Sequence, residues 1–181
     1  MLGASAAHAE CEKPAISGLT VDGPGRNSDG ESYHVGAGKF EVMPISRPEG
    51  AIVKLTVGLS AGSETPVIFT DVGFTAEPIY QHQQWSYMPE KARIVMDNAS
   101  QTMVVKAGRS GNRIYVRPGY MDEMEWAKRL KRAKTASVTI DDTEGHSRNS
   151  YIFDVSNFRR VEAQVAAYWR CANREFGILE D

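Results

Sequence analysis

One stretch of the sequence matches the spacing of a serine nucleophile. Residues 58–62 read Gly-Leu-Ser-Ala-Gly and fit the pattern G-x-S-x-G, in which the serine occupies a sharp turn between a strand and a helix. Residues 63–69 continue as Ser-Glu-Thr-Pro-Val-Ile-Phe, which predicts a following strand and no helix. A hairpin turn at Ser60 is therefore favoured. The alternative is a small secreted hydrolase in which Ser60 works with His146 and either Asp71 or Asp97.

A second group of chemically capable side chains lies in a short polar segment. Asp141, Asp142, Glu144 and His146 gather around Gly145. Paired carboxylates beside a histidine suit acid–base chemistry or weak metal binding. The same residue types are typical of a hairpin turn, and an exposed turn lacks the burial that shifts a pKa. We therefore predict a turn here and no catalytic residue.

Metal and cofactor sites are not predicted. Neither of the two cysteines has a second cysteine or a histidine at ligand spacing. Residues 36–39, Gly-Ala-Gly-Lys, lack both the spacer and the hydroxyl residue of a phosphate-binding loop. No cofactor is expected.

An aromatic segment stands between two predicted strands. Tyr80, His82, Trp85 and Tyr87 fall within nine residues, among three glutamines. Large aromatic rings bury much area at little entropic cost, so they could anchor a protein partner or a sugar. The favoured interpretation is that Trp85 and Tyr87 fold back as a lid on one end of the sheet.

A basic segment is the other candidate partner surface. Asp122 and Glu125 have the spacing of a capping box, which predicts a short helix. Lys128, Arg129 and Arg132 lie near its end, where cations suit the negative end of the helix dipole. These residues could face a membrane or an acidic partner, although a solvated face is favoured.

The element pattern predicts a mainly β fold. Six runs of five to nine residues between Lys39 and Arg117 read as strands separated by turn residues, without a long helical pattern between them. Two more strands are predicted at 135–140 and 150–155, and a helix at 157–172 from apolar residues three and four apart. Antiparallel pairing is favoured. We predict an antiparallel β-sandwich with two peripheral helices, the last one C-terminal.

The composition argues against a nucleic-acid-binding protein and against a membrane-spanning protein. The chain has 181 residues and a net charge of −2. It lacks the basic field of a nucleic-acid-binding protein and any apolar run of membrane-spanning length, so a soluble protein is expected.

The N-terminus and the cysteines predict export. Residues 1–9 end in Ala-His-Ala and look like the tail of a secretory signal, although a short disordered terminus is the alternative. The predicted mature domain is residues 10–181. Cys11 and Cys171 lie near its ends and predict a disulfide, the alternative being two unrelated thiols.

Residues 121–172 carry a resemblance. They combine a short helix ending in basic residues, a strand, a turn, a strand leading into Phe158, and a helix that reaches Cys171. This order resembles the C-terminal module of small exported bacterial proteins of the invasion-associated locus B type, and type VI secretion-associated periplasmic proteins have a similar ending. The resemblance implies a periplasmic, β-rich and non-enzymatic protein.

Taken together, the sequence predicts an exported, periplasmic module that acts through protein–protein contacts in the cell envelope and not through catalysis. An inhibitor or immunity protein with one tight protein target is the nearest alternative. The oligomeric state is not predicted.

Overall fold

The structure is a computed structural model that describes residues 11–23, 25–26, 32–33, 36–46, 48–61, 68–80, 83–97, 102–116 and 128–175. The predicted signal tail, the capping box at Asp122 and the candidate partner residue His82 lie outside these ranges.

The described residues form eleven strands and a long C-terminal helix. The strands are β1 Leu19–Asp22, β2 Gly25–Arg26, β3 Ser32–Tyr33, β4 Gly36–Val42, β5 Ala51–Ala61, β6 Ile68–Pro78, β7 Pro89–Met96, β8 Met103–Ser110, β9 Arg113–Val116, β10 Thr135–Asp142 and β11 Ser147–Asp154. The C-terminal helix, α1, is Phe158–Glu175, and residues 128–130 are also helical. The prediction of a mainly β fold with a last, C-terminal helix is confirmed.

Nine strands share one antiparallel sheet in the order β1-β4-β5-β6-β9-β8-β7-β10-β11, while β2 and β3 pair separately. The sheet curls into a half-barrel, and the predicted sandwich is not confirmed. The strands form one sheet and not two because β8 pairs with β7 from Met103 to Lys106 and with β9 from Ala107 to Ser110. This strand joins the two halves of the sheet into one.

Contacts across the interior follow from the curl. Phe74 on β6 is fully buried and contacts two rings of β11, with centroid distances of 5.6 Å to Tyr151 and 6.1 Å to Phe153. These strands are not neighbours in the sheet. The chain after β4 also reaches β11, because Pro44 bridges Phe153 and the Ile45 N–H donates to the Ile152 carbonyl at 2.7 Å.

Helix α1 packs its apolar stripe on the core, as the spacing predicts. Phe158, Val161, Val165 and Trp169 are buried on one face. Trp169 donates from Nε1 to the carbonyl of Asp22 at 2.9 Å, so the helix holds the end of β1.

The predicted disulfide between Cys11 and Cys171 is present, with the two Cα atoms 5.8 Å apart. It links residues 160 positions apart in the chain and ties the N-terminal segment to α1.

Within the described ranges, α1 included, no helix has both the length and the apolar character needed to cross a bilayer.

Candidate functional site

Ser60 lies inside a strand. It is opposite Ala37 of β4 on one side and Ile68 of β6 on the other, and β5 continues to Ala61. The predicted turn at this position is therefore wrong. A nucleophile elbow needs a strand-to-helix turn that lifts the serine out of the sheet. Ser60 has instead the backbone surroundings of an ordinary central strand.

The second candidate group forms the turn between β10 and β11. Asp142 is only 3% exposed, and its Oδ1 accepts from the backbone N–H groups of Glu144 at 2.9 Å and His146 at 2.8 Å. Its Oδ2 accepts from Nε of Arg148 at 2.5 Å. Burial would raise the pKa of Asp142, but these hydrogen bonds outweigh burial and lower the pKa. The predicted turn is present, but the expectation that its carboxylates are all exposed is wrong for Asp142.

The same turn brings metal-ligand atom types together. One ligand atom each from Asp142, Glu144 and His146 lies within 4.8 Å of the others. Both carboxylate oxygens of Asp142 already accept hydrogen bonds, one of them from the cationic Arg148. The turn's hydrogen bonds therefore occupy Asp142, while the exposed side chains of Glu144 and His146 pair with each other at 3.3 Å.

Asp141 is similarly engaged on the outer face of the sheet. Arg93 donates to it through two nitrogens, at 2.8 and 3.1 Å, and Ser147 donates at 2.9 Å. The hydrogen bond from Arg93 lowers the pKa of Asp141, against the opposing effect of burial. Asp141 is held as an anion by its neighbours.

The aromatic segment packs against the sheet. Trp85 donates from Nε1 to the Asn112 carbonyl at 2.9 Å, and Asn149 donates to the Tyr87 hydroxyl at 2.7 Å. Both rings lie partly buried against the core, and burial raises the pKa of Tyr87. Tyr80 is more than half exposed.

The basic segment lies at the other end of β10. Lys128 and Arg132 are exposed and Arg129 is partly buried. These residues precede β10, whereas Thr143, which follows it, donates to the carbonyl of Met88 next to the aromatic segment. Eight residues of strand separate the two ends, or about 26 Å. The structure therefore does not bring the two predicted partner surfaces together.

An exposed apolar group was missed by the sequence reasoning. Met43, Ile45 and Ile152 are 42%, 61% and 51% exposed. Met43 and Ile45 flank the buried Pro44, and Ile152 lies between the buried Tyr151 and Phe153. The hydrogen bond from Ile45 to Ile152 sets two of the three side by side. We call these three residues the apolar rim. The sequence itself offered only a single isoleucine in each of two distant segments, Ile45 and Ile152.

A cleft on the outer face of the sheet was also missed. Its floor is made of small residues of β5 and β6, namely Thr56, Gly73 and Thr75. Its walls are Lys39, Glu41 and Lys54 on one side and Glu77, Arg113 and Tyr115 on the other. We call this feature, with a volume of about 320 Å³, the polar cleft.

The chain matches no protein-family model, no curated protein and no solved structure. The resemblance of residues 121–172 to the invasion-associated locus B type therefore stays a prediction.

Proposed function

We propose that this protein is an exported, non-catalytic module that binds a protein partner in the cell envelope through the apolar rim. The observation that carries the proposal is the outward exposure of Met43, Ile45 and Ile152 at one place on the sheet. Contiguous exposed apolar side chains are typical of protein interaction sites.

The charges near the rim indicate what kind of partner fits. Glu41, two residues before Met43, pairs with Lys39 at 2.5 Å and with Lys54 at 3.1 Å. Glu41 offsets only one of the two lysine charges, so this group keeps a net positive charge beside the rim. The fitting partner presents an apolar protein surface without positive charges at its edge.

Export is supported by the disulfide between Cys11 and Cys171. Disulfides persist in oxidising compartments such as the bacterial periplasm and are rare in the cytosol. The proposal includes no catalytic step for two reasons. Ser60 lies within β5, and both oxygens of the Asp142 carboxylate accept hydrogen bonds from the protein.

The test compares two variants of the tagged protein, crosslinked in the envelope of its own host. Ile45→Ser combined with Ile152→Ser removes most of the rim. Val104→Ser is the matched control, because Val104 is also more than half exposed and lies on β8. We expect the rim variant to lower the yield of one crosslinked protein by about tenfold or more, and the control to leave it unchanged.

Two results would overturn the proposal. One is equal recovery of the same partner with the rim variant and with the control. The other is recovery of a second copy of this chain alone, which would make the rim a self-association surface. Binding of the purified partner at nanomolar Kd in a one-to-one complex would favour the inhibitor or immunity alternative within the same function class.

A further inference from the structure

We propose that the polar cleft binds a neutral or singly anionic glycan, with one sugar ring above the floor of β5 and β6 and the next ring against Tyr115, which lies over Gly108 of β8. This site is separate from the apolar rim, and the inference does not depend on the protein partner proposed there.

The floor of the cleft suits a flat ring. Thr56 lies opposite Gly73 in the sheet, and Thr75 lies opposite Tyr115. Small side chains in these positions leave the sheet surface low between two walls of longer ones. A six-membered sugar ring can therefore approach close to the strands.

The Tyr115 ring packs over a glycine on the next strand. A Cβ at Gly108, directly opposite it in the ladder, would lie 2.6 Å from Cζ of the ring, so the ring covers the Gly108 backbone. The Tyr115 side chain is still 39% exposed. An aromatic ring fixed on one side and open on the other is a low-entropy contact surface for an amphipathic ligand.

The polar groups of the walls favour a ligand rich in hydroxyls. Lys39, Lys54 and Arg113 supply donors, and Glu41 and Glu77 supply acceptors around the same hollow. Hydroxyls both donate and accept, so they use both kinds of group. A polyanion would face two carboxylates and a cation would face three positive charges, which leaves a neutral or singly anionic ligand as the best match.

The wall side chains are positioned before any ligand arrives. Lys39 and Lys54 both contact Glu41, and Arg113 contacts Glu77 at 3.2 Å. A lysine ammonium has three N–H donors, so one ion pair leaves others for ligand hydroxyls. The ion pairs lower the entropic cost of ordering these long side chains on binding.

The experiment uses two defined probes, chitotetraose and the same oligosaccharide oxidised at its reducing end to a singly charged aldonate. Each is titrated into the full protein to about 10 mM and followed by amide NMR shifts, because weak glycan binding falls in this range. We expect shifts at Gly73, Thr75 and Tyr115. Tyr115→Ser should weaken binding by about tenfold, and Tyr115→Phe should keep it within about twofold, because the ring supplies the contact.

Controls separate this site from the others. Tyr80→Ser removes an exposed aromatic outside the cleft, and Ile45→Ser alters the apolar rim; neither should change glycan affinity. The inference is overturned if neither probe shifts the cleft amides, if the shifts map elsewhere, or if Tyr115→Ser binds as well as the unaltered protein. A heparin tetrasaccharide that binds more tightly than both probes would also contradict it, since it would mark an anion site.

Discussion

At the turn between β10 and β11, a carboxylate, a second carboxylate and a histidine stand together, and Asp142 is nearly fully buried with three donors on its two oxygens. On the outer face of β6 and β9, threonines, a glycine and a tyrosine line an open hollow. The first region has residue types that suggest chemistry but have already satisfied one another. The second also has paired charges, Glu41 with two lysines and Glu77 with Arg113, but these side chains stay partly exposed around an open hollow. Exposure of the groups, and not their type alone, separates a structural cluster from a candidate site.

The largest expected loss of stability comes from a substitution in the core that both regions share. Phe74→Ala removes the ring that contacts Tyr151 and Phe153 and so connects β6 with β11. We expect a loss of about 3–5 kcal/mol in the free energy of unfolding, measured by urea denaturation. Amide exchange should accelerate in both regions. Acceleration in only one of them would show that the two regions are held by separate cores.

The next effect distinguishes the buried carboxylate from its exposed neighbour. Asp142→Ala leaves the N–H groups of Glu144 and His146 and the Arg148 guanidinium without their acceptor, so the melting temperature should fall clearly. The matched control is Glu144→Ala, whose side chain is exposed and should change stability by less than about 0.5 kcal/mol. Equal melting temperatures for the two variants would mean that the turn does not depend on Asp142.

Part of the acid dependence of stability should originate at this turn, beside the contributions of Glu41, Asp97 and Asp154, whose pKa values are also lowered. The pKa values of Asp141 and Asp142 are lowered in the folded protein, so their contribution is complete above the unfolded value, near 3.9, and is lost as pH falls through the lower folded values. Chemical unfolding at several pH values below about 4 measures this slope. Asp142→Asn should flatten the slope, and a slope unchanged in that variant would contradict the account.

The smallest expected effect is that of added metal. Because Asp142 is already hydrogen-bonded by three donors, Zn²⁺ or Ca²⁺ should raise the melting temperature no more in the unaltered protein than in His146→Ala. Thermal unfolding with about tenfold excess metal over protein tests this expectation. If added metal stabilises the unaltered protein but not His146→Ala, the turn binds a metal ion and the account is contradicted.

Local patterns in the sequence predicted most of the elements. Runs of five to nine residues between turn residues identified β5 and β8, the three-and-four spacing identified α1, and the cysteine positions identified the disulfide. These features depend on residues close in the chain or on a simple pairing of two cysteines.

The remaining features depend on the three-dimensional arrangement and not on a residue pattern alone. The single curled sheet requires β6 to pair with β9 and β7 to pair with β10, which do not follow each other in the chain. The burial of Asp142 requires the turn to fold its own backbone around the carboxylate and Arg148 to reach back to it. The apolar rim exists because Ile45 meets Ile152, more than a hundred residues later.

The most direct test of the proposed partner surface compares the apolar rim with the β10–β11 turn, by placing a photo-crosslinking benzoylphenylalanine at position 45 in one protein and at position 144 in another. Both side chains are exposed, so both probes reach solvent. Irradiation in the native envelope should yield one crosslinked protein partner from position 45 and none from position 144. A partner captured from position 144 and not from position 45 would contradict the account and would move the interaction to the β10–β11 turn.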